Sequence, residues 1–148
     1  MGKGTSFRKA FENLTQIKLD SFHSFFDSDI KSLKEIEDLF NNRKYEKVKN
    51  QILFIFEEKG FYFNEAPLLL QYLVDIYVKE KDYKEAERYL VKYTEYVDTP
   101  SIYEKLSNIS LFYDKKLAIK YAEKAVKSAE RKDWNVEIYK DQLNELLK

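Results

Sequence analysis

The chain has 148 residues, a length that suits one domain with a substantial hydrophobic core. Lys plus Arg and Asp plus Glu each number 26, so no net charge draws the chain toward nucleic acid or an anionic membrane. The absence of Cys excludes disulfides and cysteine-ligated zinc, and only three Gly and two Pro favour long helices over turn-rich β structure.

The N-terminal segment predicts one helix, because Phe7, Phe11 and Leu14 recur at helical spacing. We expect residues 1–29 to form an apolar helix that caps one end of the fold or docks on a second copy to give a homo-oligomer. The opening MGKGTS also fits the short pattern for acylation of Gly2. That pattern often matches by chance, so the sequence leaves acylation open.

Seven further helices are predicted down the chain. Apolar residues recur at helical spacing from Ile30 to Phe40, Tyr45 to Phe56, Leu69 to Tyr77, Ala86 to Val97, Ile102 to Ile109, Leu117 to Ala129 and Ile138 to Leu147. Gly60 is expected to stop one helix and Pro67 to open the next. The prediction is an all-α fold of about eight helices in a single domain over residues 1–148. No segment approaches the roughly 20 apolar residues of a membrane span, and no signal peptide is recognised, which predicts a cytoplasmic protein.

Three stretches resemble one another where one helix gives way to the next: NNRKYEKV, KEKDYKEA and FYDKKLAI. Tyr45 and Tyr83 lie 38 positions apart, and Ala86 and Ala118 lie 32 positions apart. Periods of this size are typical of helical hairpins, each of which must stack on a neighbour to bury its apolar face.

The middle unit resembles a tetratricopeptide repeat, and the match is best over residues 67–100. The matching residues are Leu70, Leu73, Val74 and Tyr77 on the first helix, then Ala86 and Leu90 on the second. Ala86 takes the small-residue position where two helices cross closely. Val74 stands where the family has Gly, so the repeat is divergent. The resemblance implies antiparallel hairpins stacked as a short right-handed array over residues 30–131, with residues 134–148 as a C-terminal capping helix.

The same resemblance implies a groove lined by the first helix of each hairpin, where such proteins hold a peptide. By register the groove residues are Glu37, Phe40, Asn41, Gln71, Asp75, Val78 and Lys79. This set is acidic to neutral and suits a basic or apolar peptide. The alternative is that a terminal helix fills the groove.

A second candidate surface is a basic stripe on the helix that follows YDKK. Its members are Lys116, Lys120, Lys124, Lys127 and Arg131, which occupy about 80° of arc on an ideal helix. The stripe serves an acidic partner, a nucleic-acid backbone or a membrane surface, or it is an ordinary solvated face. Exposed helix faces are commonly rich in Lys, which favours the solvated face.

The stretch GFYF at residues 60–63 places three aromatic side chains in a predicted loop. These side chains either anchor a partner or hold the loop against the core, and the second interpretation is favoured.

Together these features predict a non-catalytic protein–protein interaction module, an adaptor or scaffold, that binds a protein or peptide. The single His, His23, and the few Gly leave no triad, His metal site or phosphate-binding loop, so no catalytic residue, metal or cofactor is expected. An enzyme of unfamiliar type is one alternative, which a cleft of converging carboxylates would favour, and two further alternatives stay open. One is a nucleic-acid-binding helical protein that uses the stripe at 116–131, which the neutral net charge argues against. The other is a structural subunit that self-assembles.

Overall fold

The computed structural model describes residues 33–148, and all regular structure within that range is helical. The helices are α1 (33–41), α2 (Tyr45–Lys59), α3 (Ala66–Lys79), α4 (Tyr83–Tyr93), α5 (Pro100–Ser110), α6 (Lys115–Lys132) and α7 (Val136–Leu147). The predicted all-α class is thus confirmed over this part of the chain, where seven helices occur. The predictions for residues 1–29, including those for Gly2 and His23, lie outside the described residues.

Local signals explain most helix boundaries. Pro67 lies in the first turn of α3 and Pro100 opens α5, positions where the missing proline N–H costs nothing. Gly60 follows the last residue of α2 with a φ of +74°, which glycine adopts without steric cost. Side-chain oxygens of Asp82, Asp114 and Asn135 each accept a backbone N–H in the first turn of the helix that follows them.

Two of the three similar sequence stretches form the same turn. Arg43 and Lys81 both have a positive φ, of 60° and 62°. Lys81 donates its backbone N–H to Val78, and Asp82 donates to Tyr77; the chain around Arg43 repeats both bonds 38 positions earlier. This pattern is a Schellman motif, in which a left-handed residue lets the chain satisfy the last helix carbonyls. The stretch FYDKKLAI differs, because no residue with a positive φ lies between α5 and α6.

The helix α4 is shorter than the sequence predicts. Apolar spacing runs on to Val97, but the helix ends at Tyr93 and residues 94–96 form turns. The Thr94 hydroxyl donates a hydrogen bond to the Val91 carbonyl at 2.5 Å, which satisfies one of the carbonyls left open at the helix end.

The core of the unit formed by Lys49–Lys148 changes character along the chain. Bulky apolar side chains of α3 are fully or almost fully buried, and the Tyr77 ring stacks on the Tyr89 ring of α4 with centroids 5.6 Å apart. On α5 and α6 many of the buried residues are small. The small ones are Ser107, Ser110, Ala118, Ala122, Ala125, Ser128 and Ala129, and the larger ones include Leu106, Ile109, Tyr121 and Val126.

Within this unit α3 packs on α4, α4 on α5, α5 on α6 and α6 on α7. Polar contacts also join alternate helices. Asp75 of α3 faces Lys105 of α5 at 3.6 Å, and Gln142 of α7 donates to Asn108 of α5 at 3.0 Å. From α3 to α7 each helix therefore packs on the next one along the chain, and polar contacts join α3 to α5 and α5 to α7. No helix among residues 33–148 combines the length and apolarity that crossing a membrane requires.

Candidate functional site

The residues predicted to line the groove fall into two sets. On α1, Glu37 and Asn41 are exposed, and the half-buried Phe40 ring meets the Tyr45 ring edge-on with centroids 5.4 Å apart. On α3, Val78 is half-buried and Lys79 is exposed.

The two central polar residues of the α3 set are engaged within the protein. Gln71 donates its amide N–H to the Tyr93 hydroxyl at 2.5 Å, and the Asp75 carboxylate lies 3.6 Å from the Lys105 ammonium. A partner that used these polar groups would have to replace contacts they already make. Leu68, one turn before Gln71, is 45% exposed and adds an apolar surface that the sequence analysis did not single out.

The basic stripe is exposed along its whole length, as its helical spacing predicts. Lys116, Lys120, Lys124, Lys127 and Arg131 all point into solvent, while Ala118, Ala122, Ala125 and Ala129 on the opposite side of α6 are fully buried.

Three members of the stripe line a pocket together with residues from outside α6. Lys124, Lys127 and Arg131 line an open pocket of about 450 Å³ together with Asp98 and Tyr103; these five residues are called the cationic pocket below. Asp98 belongs to the link before α5, and Tyr103 lies in the first turn of that helix. The remaining two lysines of the stripe, Lys116 and Lys120, do not line the pocket.

The Tyr103 hydroxyl is tied to the carboxylate in the same pocket. Burial raises the pKa of Tyr103 first, a hydrogen bond to Asp98 raises it further, and the nearby Arg131 charge acts weakly in the opposite direction. The tyrosine is therefore neutral at physiological pH. Among the ion pairs of residues 33–148, none involves Lys124, Lys127 or Arg131.

A second pocket, of about 540 Å³, lies between α4 and α6. At its edge the Glu87 carboxylate accepts hydrogen bonds from Tyr121 at 2.7 Å and from Tyr113 at 3.2 Å. Burial, with the Glu87 charge and hydrogen bond, raises the pKa of Tyr113 to about 12 and the pKa of Tyr121 as well. Sequence reasoning missed this cluster, because its members come from separate segments and no local spacing links them.

The GFYF loop is held against the core, as the favoured interpretation predicts. The rings of Phe61 and Phe63 pack on Phe56 with centroids 4.7 and 5.9 Å away, and the Tyr96 hydroxyl donates to the Phe61 carbonyl. The middle residue, Tyr62, is 76% exposed, and a hydrogen bond to Glu95 raises its pKa.

In the part of the chain from residue 33 onward, no three His, Asp or Glu side chains come together in a way that would hold a metal ion. No model of a known protein family matches the chain, and no curated protein matches it either. The candidate sites therefore rest on the geometry of the residues themselves.

Proposed function

We propose that this protein is a non-catalytic protein–protein interaction module, an adaptor or scaffold built from stacked helical hairpins similar to tetratricopeptide repeats. One observation carries the proposal: from α3 to α7 each helix packs on the next along the chain, and polar contacts join α3 to α5, α4 to α6 and α5 to α7. In a stack of hairpins the first helices lie side by side in one layer and the second helices in another. The contact of Asp75 with Lys105 fits the first layer, and the contact of Glu87 with Tyr121 fits the second.

The turns and the small residues support the same arrangement. The Schellman turns at Arg43 and Lys81 share the 38-residue period of the sequence repeat. Ala86 and Ala118, which the resemblance places at close helix crossings, are both fully buried. A hairpin array needs a small residue where its two helices approach most closely, so the full burial of these two positions supports the proposal.

The final helix has the character of a cap. On α7 the residues Tyr139 and Leu146 are buried. The exposed positions are mostly polar and include Glu137, Lys140 and Asp141, with the apolar Ile138 and Leu147 exposed beside them. A terminal helix that is apolar inside and polar outside covers the last hairpin and keeps the end of the stack hydrated. We therefore assign residues 134–148 the role of C-terminal cap.

Binding in such a module depends on surfaces that the fold leaves unused. The α3 groove residues Gln71 and Asp75 are engaged internally, whereas the basic stripe of α6 is exposed. A rigid helical surface of this kind binds a partner without ordering itself first, which lowers the entropic cost of association. The stripe is thus the better supported of the two candidate surfaces. The groove is the second candidate, because Leu68 is exposed there.

The test compares two variants of the tagged protein in affinity capture from the native organism. One variant carries Leu68→Glu and Gln71→Glu in the groove, and the other carries Lys124→Glu and Lys127→Glu in the stripe; all four positions are exposed. The proposal expects at least one protein whose capture is lost in one folded variant and retained in the other. Capture of nothing beyond the tag control, or equal capture by wild type and both variants, would overturn it.

Nucleic-acid binding is the second candidate, and the exposed cations of the stripe favour it. The equal numbers of acidic and basic residues oppose it, because domains that bind nucleic acid usually carry a clear positive excess. Capture that disappears after nuclease treatment of the lysate would select this candidate.

A further inference from the structure

The cationic pocket concentrates positive charge at one place on a protein that has none overall. Lys124, Lys127 and Arg131 bring three positive charges to its rim, against the single carboxylate of Asp98. No carboxylate among residues 33–148 forms an ion pair with any of the three. The pocket thus carries an excess of positive charge. Its volume of about 450 Å³ is room for one or two side chains.

We propose that the cationic pocket docks an acidic segment of the partner protein, with carboxylate side chains seated on Lys127 and Arg131. This inference rests on the proposed function, because it names the partner class for one surface of the same module. The planar guanidinium of Arg131 pairs with a carboxylate through two parallel hydrogen bonds, which fixes orientation as well as charge. The start of α5, where Tyr103 lies, adds the positive end of a helix dipole.

The spacing of the cations suits an extended peptide. Lys127 and Arg131 are separated by one helical turn, about 6 Å along the axis. In an extended chain, residues i and i+2 project from the same side and lie roughly 6.6 Å apart. Acidic residues at alternate positions of a partner segment therefore match the two cations without bending either chain.

Neighbouring charges favour a peptide over a nucleic-acid backbone. Glu123 and Glu130 are exposed among the cations on α6, and Asp98 lies in the pocket itself. A phosphodiester strand carries a charge on every nucleotide, so it would have to place phosphates close to these carboxylates. A peptide can set neutral residues opposite the carboxylates and acidic residues only opposite Lys127 and Arg131.

The experiment measures binding of a fluorescein-labelled octapeptide of alternating Glu and Ser by fluorescence anisotropy, with an oligothymidylate of eight nucleotides as the competing probe. The pocket variant carries Lys127→Glu and Arg131→Glu. The matched control carries Lys116→Glu and Lys120→Glu, which make the same change of charge on the same helix outside the pocket. The variant Asp98→Asn removes the one opposing charge.

We expect the wild type to bind the peptide and the pocket variant to bind it about tenfold more weakly, since two attractive contacts become repulsive. The matched control should lose no more than about threefold. Asp98→Asn should strengthen binding by about twofold. The affinity of the wild type should fall as salt rises, because the Debye length shrinks from about 10 Å at 0.1 M to about 3 Å at 1 M.

Three results would overturn the inference. They are equal losses in the pocket variant and the matched control, tighter binding of the oligothymidylate than of the peptide, and no saturable peptide binding by the wild type. Far-ultraviolet circular dichroism checks that each variant folds; Lys127→Gln with Arg131→Gln replaces the pocket variant if it does not. The affinity capture described above does not depend on this probe. The pocket inference can therefore be wrong while the proposed interaction module is still supported.

Discussion

The hairpin of α3 and α4 and the hairpin of α5 and α6 are built from different side chains. The first buries large residues, among them Leu69, Leu70, Leu73, Ile76 and Leu90. The second buries Ala118 and Ala122 of α6, together with Ser107 of α5, whose hydroxyl donates to the Ala118 carbonyl at 2.8 Å. The first hairpin is therefore held mainly by large apolar side chains, whereas the second combines small and large buried side chains with a buried hydrogen bond.

This difference affects the outer surfaces. On α3 the apolar residues occupy most of the circumference, so few positions remain for polar side chains, and Gln71 and Asp75 are drawn into internal contacts. On α6 the buried positions are mostly small and confined to one side, which leaves a broad outer face for long cationic side chains. The hairpin with the smaller core residues is thus the one that presents the candidate binding surface.

The prediction with the largest expected effect concerns the hairpin of α3 and α4, called the bulky hairpin because of its large buried side chains. Leu73→Ala removes a fully buried side chain from α3 and should lower the free energy of unfolding by about 2–5 kcal/mol. Leu68→Ala is the matched control on the same helix, since Leu68 is 45% exposed. Urea unfolding should show a loss for Leu68→Ala that is several times smaller. Equal losses would mean that α3 does not pack as described.

The second prediction concerns a small buried residue of the same hairpin. Ala86 is fully buried on α4, so Ala86→Leu should overpack the contact and cost about 1–3 kcal/mol. Val91→Leu, at an exposed position of the same helix, is the control and should change stability little. If Ala86→Leu melts at the wild-type temperature, the proposed repeat register is wrong.

The third prediction uses the tyrosines that meet Glu87. An unfolded chain loses tyrosine protons near pH 10, whereas burial and the Glu87 contact hold the pKa of Tyr113 at about 12 and also raise that of Tyr121. Between these values the folded state binds more protons than the unfolded state, so stability should fall as the pH rises from about 10 to 12. The double variant Tyr113→Phe, Tyr121→Phe should lose less stability over this range in urea unfolding at pH 9 and pH 11. An identical loss in wild type and variant would contradict the assignment.

The fourth prediction tests the hydrogen bond of the small-residue hairpin. Ser107→Ala keeps the volume nearly constant but removes the donor to the Ala118 carbonyl, which should cost about 1 kcal/mol. Ser101→Ala on the same helix, at an exposed position, provides the control. A Ser107→Ala variant as stable as wild type would show that close packing alone holds α5 to α6.

Most helix boundaries were predictable because their causes are local. Gly60, Pro67 and Asp114 act on the turns that contain them, and a sequence displays such signals directly. The end of α4 was not predictable in this way, because the apolar spacing continues to Val97. There the chain leaves the helix at Tyr93, and the Tyr96 hydroxyl then bonds to a carbonyl of the GFYF loop, a contact between distant segments.

One part of the candidate site could be predicted from the sequence, and the other part could not. Helical spacing alone placed the five cations of the stripe on the exposed face of α6. The second wall of the cationic pocket comes from Asp98 and Tyr103, and nothing in the spacing of α6 connects these residues to the stripe. In the FYDKKLAI stretch the sequence similarity was misleading. Its capping Asp resembles that of KEKDYKEA, but it has no residue equivalent to Lys81 with a left-handed backbone. Similar order of side chains did not ensure a similar backbone.

The smallest expected effect is on the outer face of α6, where the two ends of the helix should respond with opposite signs. Lys116 lies in the first turn, which contains no acidic residue, and Arg131 lies in the last turn. The helix dipole is positive at its start and negative at its end, so Lys116→Glu should stabilise the protein by about 0.3–1 kcal/mol, and Arg131→Glu should destabilise it by a similar amount. The new Glu at position 116 also stands four residues before Lys120, the favourable order for a helical ion pair. Thermal unfolding at low salt measures both changes, and both should shrink in 1 M salt, because exposed charges are then screened. Changes of the same sign, or losses as large as that of Leu73→Ala, would mean that this face is packed against other parts of the protein and is not available to a partner.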